Sequence, residues 1–328
     1  MSATPALPPL DLNPTLGAVF VGFVVSAVLF GITLLQTIYY YTTFRDDRIW
    51  DKLMVAGLTL LDTGHFVCIS HAVYWYTILN YGQRLTLNVI VWSLTADVFF
   101  TSIIAFIVQM YLTRRVWILS QKNYIVSGFL TVLSLFALAS GLAYGIRLGQ
   151  LGTQSSMHLI LYLIRMALGG TVAADICITI ALVFYLRKSR SGVKSTHDMV
   201  HFLVVFAINT GAITSLFALL DVIIHTALED TLGYMAFYVC LSKLYVNSLL
   251  GTLNARSYLR QNHASTNVQS DGYKLSQFQT ASNRLGSDHT WQTSQTQTQS
   301  IPGPMMFSDP PRSHSIELRE DEKPIHIV

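Results

Sequence analysis

Charge is what this sequence has least of. Lys, Arg, Asp and Glu make up 12% of its 328 residues, about half the ~25% of an average soluble protein. Hydrophobic residues make up 52%, and mean hydropathy is +0.45 despite a polar C-terminal stretch. A water-soluble domain of this length has no core large enough to hide that much apolar surface. The net charge of +3 is too small to imply a nucleic-acid partner. Cysteine is scarce as well. Cys68, Cys177 and Cys240 all fall in apolar runs and read as small apolar side chains, not as a disulfide framework or a metal cluster. The N-terminal region lacks the basic stretch of a secretory signal, and its first apolar run is too long for a signal core. Proline sits in the middle of Asn13-Pro14-Thr15, so no usable N-glycosylation acceptor exists.

What the sequence has instead is long apolar runs. A membrane helix needs about 20 mostly apolar residues to cross a ~30 Å hydrocarbon core. Seven segments qualify: 16–41, 53–79, 88–112, 124–146, 157–185, 200–228 and 231–253, none with an internal proline. The sixth and seventh nearly touch at Glu229–Asp230, and Asn13-Pro14 reads as an N-cap followed by proline at the first helical position. Ala18, Gly22 and Ser26 form a small-xxx-small stripe on the first span. Its commoner use is packing within the bundle, its rarer one homodimerisation.

Lys and Arg in the short connections set the orientation. Arg45, Arg48 and Lys52 follow the first span, Arg114, Arg115 and Lys122 the third, Arg187, Lys188, Arg190 and Lys194 the fifth, and Arg256 and Arg260 the seventh. The opposite side has only Arg84 and Arg147. The expected class is therefore an all-α polytopic membrane protein with seven transmembrane helices, N-terminus out and C-terminus cytoplasmic. Residues 1–15 form a short extracytoplasmic segment, 16–256 the transmembrane domain and 257–328 a polar cytoplasmic tail. Residues 276–300 are dominated by Ser, Thr and Gln, and Pro302, Pro304, Pro310 and Pro311 punctuate the stretch after them, so the tail is expected to be disordered. It reads equally as a regulatory segment for a cytoplasmic partner and as a solvated appendage. Plasma membrane and other endomembranes are not distinguished.

Ionisable residues inside spans are expensive and tend to face the bundle interior. Counting ~1.5 Å per residue from the cytoplasmic helix ends puts Asp62, Asp175, Asn209 and Lys243 on one level, with His65 a turn above and Asn247 a turn below. Asp62 with His65, and Lys243 with Asn247, share helix faces. These six are the candidate ligand-binding or switch residues; the bland alternative is a buried network that fixes helix register. Arg165 and Asp221 fall on a second, outer level as an ion-pair candidate. Asp97 lies between the levels, and His71 and His225 near the outer interface.

Named chemistries fit poorly. A retinal protein of the microbial rhodopsin type would carry an aspartate four residues before the lysine, where Val239 stands. A zinc hydrolase needs three converging ligands, and the histidines are scattered in depth. A G-protein-coupled receptor would carry an acidic-Arg-Tyr switch where Met110-Tyr111-Leu112-Thr113-Arg114 stands, and Asn-Pro-x-x-Tyr in its last helix. No enzyme activity, metal or cofactor is expected.

Two runs are more specific. Leu241-Ser242-Lys243-Leu244-Tyr245-Val246-Asn247-Ser248, continuing to Arg256, combines with Asn209-Thr210-Gly211, Thr214-Ser215-Leu216 and the basic Arg187–Gly192 connection. Together they resemble a family of uncharacterised membrane proteins of mushroom-forming fungi, domain of unknown function 6534, over about residues 169–256. Leu61-Asp62-Thr63 with His65, His71 and Tyr74-Trp75-Tyr76 look like the usual N-terminal half of that family. The resemblance implies a seven-helix fungal membrane protein and no activity, because the family has no assigned substrate, cofactor or catalytic residue. The expected function is a sensor or receptor-like bundle in the lipid bilayer, with an unknown small ligand. The alternative is a transporter or proton-coupled carrier.

Overall fold

Apolar runs without proline can satisfy their backbone N–H and C=O groups away from water by winding into helices, and they do so here. The computed structural model describes residues 16–188, 194–227 and 233–256, leaving out the side chains at 84, 85, 155, 194–207, 210 and 225. The Asn13-Pro14 cap, the Glu229–Asp230 division, residues 1–15 and the tail 257–328 lie outside the described residues.

The helices are α1 (Ala18–Thr43), α2 (Ile49–Tyr74), α3 (Trp92–Leu119), α4 (Tyr124–Leu151), α5 (Leu161–Lys188), α6 (Lys194–Ala227) and α7 (Met235–Arg256). A π-helical turn, Trp75–Leu79, prolongs α2, and a 3-10 turn, Gln154–Ile160, leads into α5. Among the described residues, six helices are long and apolar enough to cross a bilayer; in α6 the described apolar stretch is Gly211–Ile224. Among the described residues there is no strand, only an isolated bridge between Val89 and Thr153. This is the all-helical architecture of an integral membrane protein.

Several helices outrun their apolar segments. α3 continues through Thr113-Arg114-Arg115 to Leu119, and α4 continues through Arg147 to Leu151. Nothing in these polar turns breaks a helix, so winding persists past the hydrocarbon. Stops come from local chemistry. Asn123 caps α4 by accepting from the backbone N–H of Ile125 and Val126. Gly152, at φ +64°, ends it in the left-handed conformation that glycine adopts without strain.

Apolar side chains point both ways. Leu35, Leu60, Val132 and Ile180 are exposed, as a lipid-facing surface requires, while Asp62, His65, Gln109, Asp221 and Lys243 are buried. Helix α7 is the most enclosed of the six apolar helices. It lies along α1 through a regular seam: Cys240 Sγ reaches Gly22 O at 3.7 Å, Asn247 Nδ2 donates to Leu29 O at 2.9 Å, and Asn254 Nδ2 donates to Gln36 O at 2.9 Å. Each step of seven residues along α7 matches a step of seven along α1 in the same direction, so the two helices run parallel. The backbones approach closely at Gly22, where a Cβ would lie 2.5 Å from Ala236 Cα. The small-residue stripe is therefore engaged inside the bundle.

Candidate functional site: a buried polar interior around α7

Lys243 projects from α7 toward α2. Its Nζ donates to Asp62 Oδ1 at 2.7 Å and to the Asp62 carbonyl at 2.8 Å. Neither side chain is exposed. The ammonium lies 5.0 Å from the centre of the Phe30 ring and 5.6 Å from that of Phe66. These two rings stack on each other at 4.6 Å. A carboxylate, a carbonyl and two ring faces thus replace the water that a lysine loses in a membrane interior.

One turn along α2, His65 Nε2 lies 2.7 Å from Asp97 Oδ1 of α3, again in full burial. His65 therefore turns to α3 while Asp62 turns to α7. Asp97, which depth alone places between two levels, is the partner of the inner histidine.

The third carboxylate is held by hydrogen bonds from neutral groups. Asp175 of α5 accepts from Gln109 Nε2 at 2.9 Å, Thr214 Oγ1 at 3.1 Å and Tyr245 OH at 2.5 Å. Tyr245 stands two residues after Lys243, about 200° around the helix. Helix α7 therefore grips α2 with one face and α5 with the other. Asn247, on the lysine's side, donates to Leu29 O and back to Lys243 O, both at 2.9 Å.

Other expected members stand apart. Asn209 shares the level only in depth; its side chain is exposed on α6. An equal count from the helix end says nothing about rotation around the axis, and rotation excludes it. The outer pair is not formed. Arg165 is exposed and reaches Thr226 Oγ1 at 3.4 Å. Asp221 is fully buried, and among the described residues neither carboxylate oxygen has a hydrogen-bond partner. His71 Nδ1 lies 3.0 Å from Ser93 Oγ, and the side chain of His225 is outside the described residues. Gln109, Thr214 and Tyr245 escape a search for charge, because neutral polar residues in apolar helices carry no such signal. The phase of Tyr245 relative to Lys243 was the available clue.

Two small cavities adjoin these groups. One, of about 40 Å³, lies between α3, α4, α5 and α7, bordered by Gln109 and Tyr245. The other, of about 20 Å³, touches Asp97, Gln154 and Tyr234. Tyr144 and Tyr238 border both. Among the described residues, no group of three His, Cys, Asp or Glu side chains could hold a metal ion.

Helices of this length and apolarity, with Asp62, Asp97, Asp175, Asp221 and Lys243 turned inward, define a multi-pass membrane protein. A family model described as Family of unknown function (DUF6534) matches residues 171–258, from the middle of α5 to just past the end of α7. The matched stretch contains Asp175, Thr214, Asp221, Lys243 and Tyr245. No curated protein and no solved structure matches the chain.

Proposed function

We propose that the protein is a sensor or receptor-like bundle of seven membrane-spanning helices, with its N-terminus outside and residues 257–328 as a cytoplasmic tail open to a partner. In this reading it is not an enzyme and needs no cofactor. The parallel course of α1 and α7 supports an odd number of crossings, and the basic connections support the orientation. The observation that carries the functional reading is the buried Lys243–Asp62 pair. Such a pair gives little net stability over an apolar replacement, yet breaking it is costly. It therefore suits an element with two discrete arrangements better than one that merely holds helices together. Tyr245 makes the arrangement consequential, because a rotation of α7 that moves Lys243 also moves the grip on Asp175 in α5.

The test neutralises the pair without stranding a charge. Asp62→Asn with Lys243→Met is made in a background lacking the native cysteines, with spin labels at Trp50 in α2 and Phe184 in α5, in nanodiscs. A switch predicts a changed distance distribution in the variant. An unchanged distribution makes the pair purely structural. Proton flux in liposomes that disappears in the same variant would instead establish the carrier reading.

A further inference from the structure

We propose that the cavity of about 40 Å³ between α3, α4, α5 and α7 is a binding site for a short-chain alcohol, a small neutral molecule with a hydrocarbon end and a hydroxyl end. The space exists because short side chains border it. Ala105, Ala137 and Ala167 stand at its wall, and Leu138, Leu168 and Leu241 extend the apolar lining. Among the described residues no charged side chain borders it. An ion would lose its hydration there and gain no counter-charge, so the occupant is neutral.

Four polar residues of the lining direct their hydrogens elsewhere. Gln109 donates to Asp175 and to Thr171 O, Tyr245 donates to Asp175, and the hydroxyls of Ser102 and Thr171 donate to the carbonyls of Val98 and Ala167. Ser134 and Thr101 do not. Both are buried, and neither hydroxyl has a hydrogen bond of good geometry among the described residues, Thr101 lying beside the Tyr238 phenol. Leaving a buried hydroxyl without a partner is costly. An alcohol hydroxyl both donates and accepts, and so pairs with either of them. Its alkyl end meets the alanine and leucine walls, away from water. A pure hydrocarbon would leave the hydroxyls stranded, and a water, which needs about two to four polar partners, is poorly served by these walls.

Volume sets the length of the alcohol. A cavity of ~150 Å³ admits benzene, so by proportion about 40 Å³ takes roughly two or three heavy atoms. Methanol and ethanol meet that limit, and longer chains exceed it. So few atoms give a Kd of about 1 mM or weaker. Gln109 and Tyr245 border the cavity and also hold Asp175. An occupant therefore lies against two of the side chains that fasten α3 and α7 to α5. The alcohol site is independent of the sensor reading, since a carrier or a passive bundle could bind the same molecule.

The test is saturation-transfer NMR of methanol, ethanol, 1-propanol and 1-butanol with the full chain in nanodiscs, read against empty nanodiscs. Partition into lipid rises about fourfold with each methylene. The expected protein-dependent signal instead saturates, is greatest for ethanol and is lost by 1-butanol. Ser134→Leu fills the cavity and abolishes that signal. Ser134→Ala with Thr101→Val changes side-chain size little, so the fold is retained, while ethanol affinity falls by about three- to tenfold. Melting curves confirm that each variant is folded, and the double variant decides the matter where Ser134→Leu is not. No protein-dependent signal, or one that rises steadily through 1-butanol, overturns the proposal and leaves the cavity to water. An ethanol signal unchanged in either folded variant also overturns it, by placing the alcohol elsewhere.

Discussion

Lys243 Nζ lies 2.7 Å from Asp62 Oδ1, with both side chains wholly buried. Removing one partner leaves the other as an unpaired charge in an apolar interior. Lys243→Met is therefore expected to destabilise the bundle by about 3–5 kcal/mol. Adding Asp62→Asn should return most of that loss, because the stranded carboxylate is gone. Denaturant titration of the two single variants and the double variant, read as a thermodynamic cycle, measures the coupling. Independent, additive losses would show that the two residues do not act as a pair.

A second ion pair provides the contrast. Arg256, the last residue of α7, places Nη2 2.6 Å from Asp47 Oδ2 in the α1–α2 connection, with both side chains partly exposed. Tyr40 donates to the same carboxylate oxygen at 3.0 Å, and the guanidinium covers the Phe44 ring at 4.6 Å. Water and salt reach this pair. Asp47→Asn should cost at most about 1 kcal/mol, and less as salt rises. The Lys243→Met loss should hardly change with salt. Melting curves for the two variants across a salt series separate the cases.

Much of this was legible because membrane burial leaves a coarse record in sequence. Apolar run length located the helices, and depth counting brought Asp62 and Lys243 to one level. Rotation is not legible, so depth counting places Asn209, whose side chain is exposed, with buried residues, and pairs Arg165 with an aspartate although its contact is Thr226. Neutral hydrogen-bond donors were invisible for another reason. Gln109 and Tyr245 look like ordinary helix residues until the partner that needs them, Asp175, is placed beside them. The α1–α7 seam is not legible either: the seven-residue spacing of Cys240, Asn247 and Asn254 takes on meaning only once Gly22, Leu29 and Gln36 of α1 stand opposite.

Glycine packing yields a paired prediction. A Cβ at Gly22 would lie 2.5 Å from Ala236 Cα and 2.7 Å from Ala236 O, backbone that cannot swing away, whereas a Cβ at Gly31 meets nothing within 4 Å. Gly22→Ala should push α1 off α7 and cost about 1–3 kcal/mol. Gly31→Ala should be neutral or stabilising by up to about 1 kcal/mol. Thermal melting of the two variants checks this, and equal effects would contradict the close approach.

Tyr245 is the donor to Asp175 at the shortest distance, 2.5 Å. Tyr245→Phe keeps the ring and removes the hydroxyl, so its effect isolates the hydrogen bond. A bond to a charged acceptor predicts a loss of about 1.5–3 kcal/mol. Thr214→Val should lose less, because the Thr214 hydroxyl also lies 3.1 Å from Gly211 O and its single hydrogen is shared between the two acceptors. Chemical denaturation ranks the pair. A larger loss from Thr214→Val would make Thr214, not Tyr245, the stronger donor to Asp175.

Asp221 calls for the opposite sign. Its carboxylate is completely buried, neither oxygen has a hydrogen-bond partner among the described residues, and the phenols of Tyr144, Tyr234 and Tyr238 are its electrostatic neighbours. Leaving a polar group unsatisfied in such a place costs about 1–3 kcal/mol, and leucine has a similar size without that penalty. Asp221→Leu should therefore raise stability, whereas substitutions at Asp62 and Asp175 lower it. Departures from polar satisfaction are expected mainly at functional sites, which makes Asp221 a position to test for such a role. Melting temperature and the label distances between Trp50 and Phe184 are measured together in Asp221→Leu. A higher Tm with a narrowed distance distribution would identify Asp221 as a group that keeps the bundle poised between states. A lower Tm would show that Asp221 has a stabilising partner and would remove it from any such role.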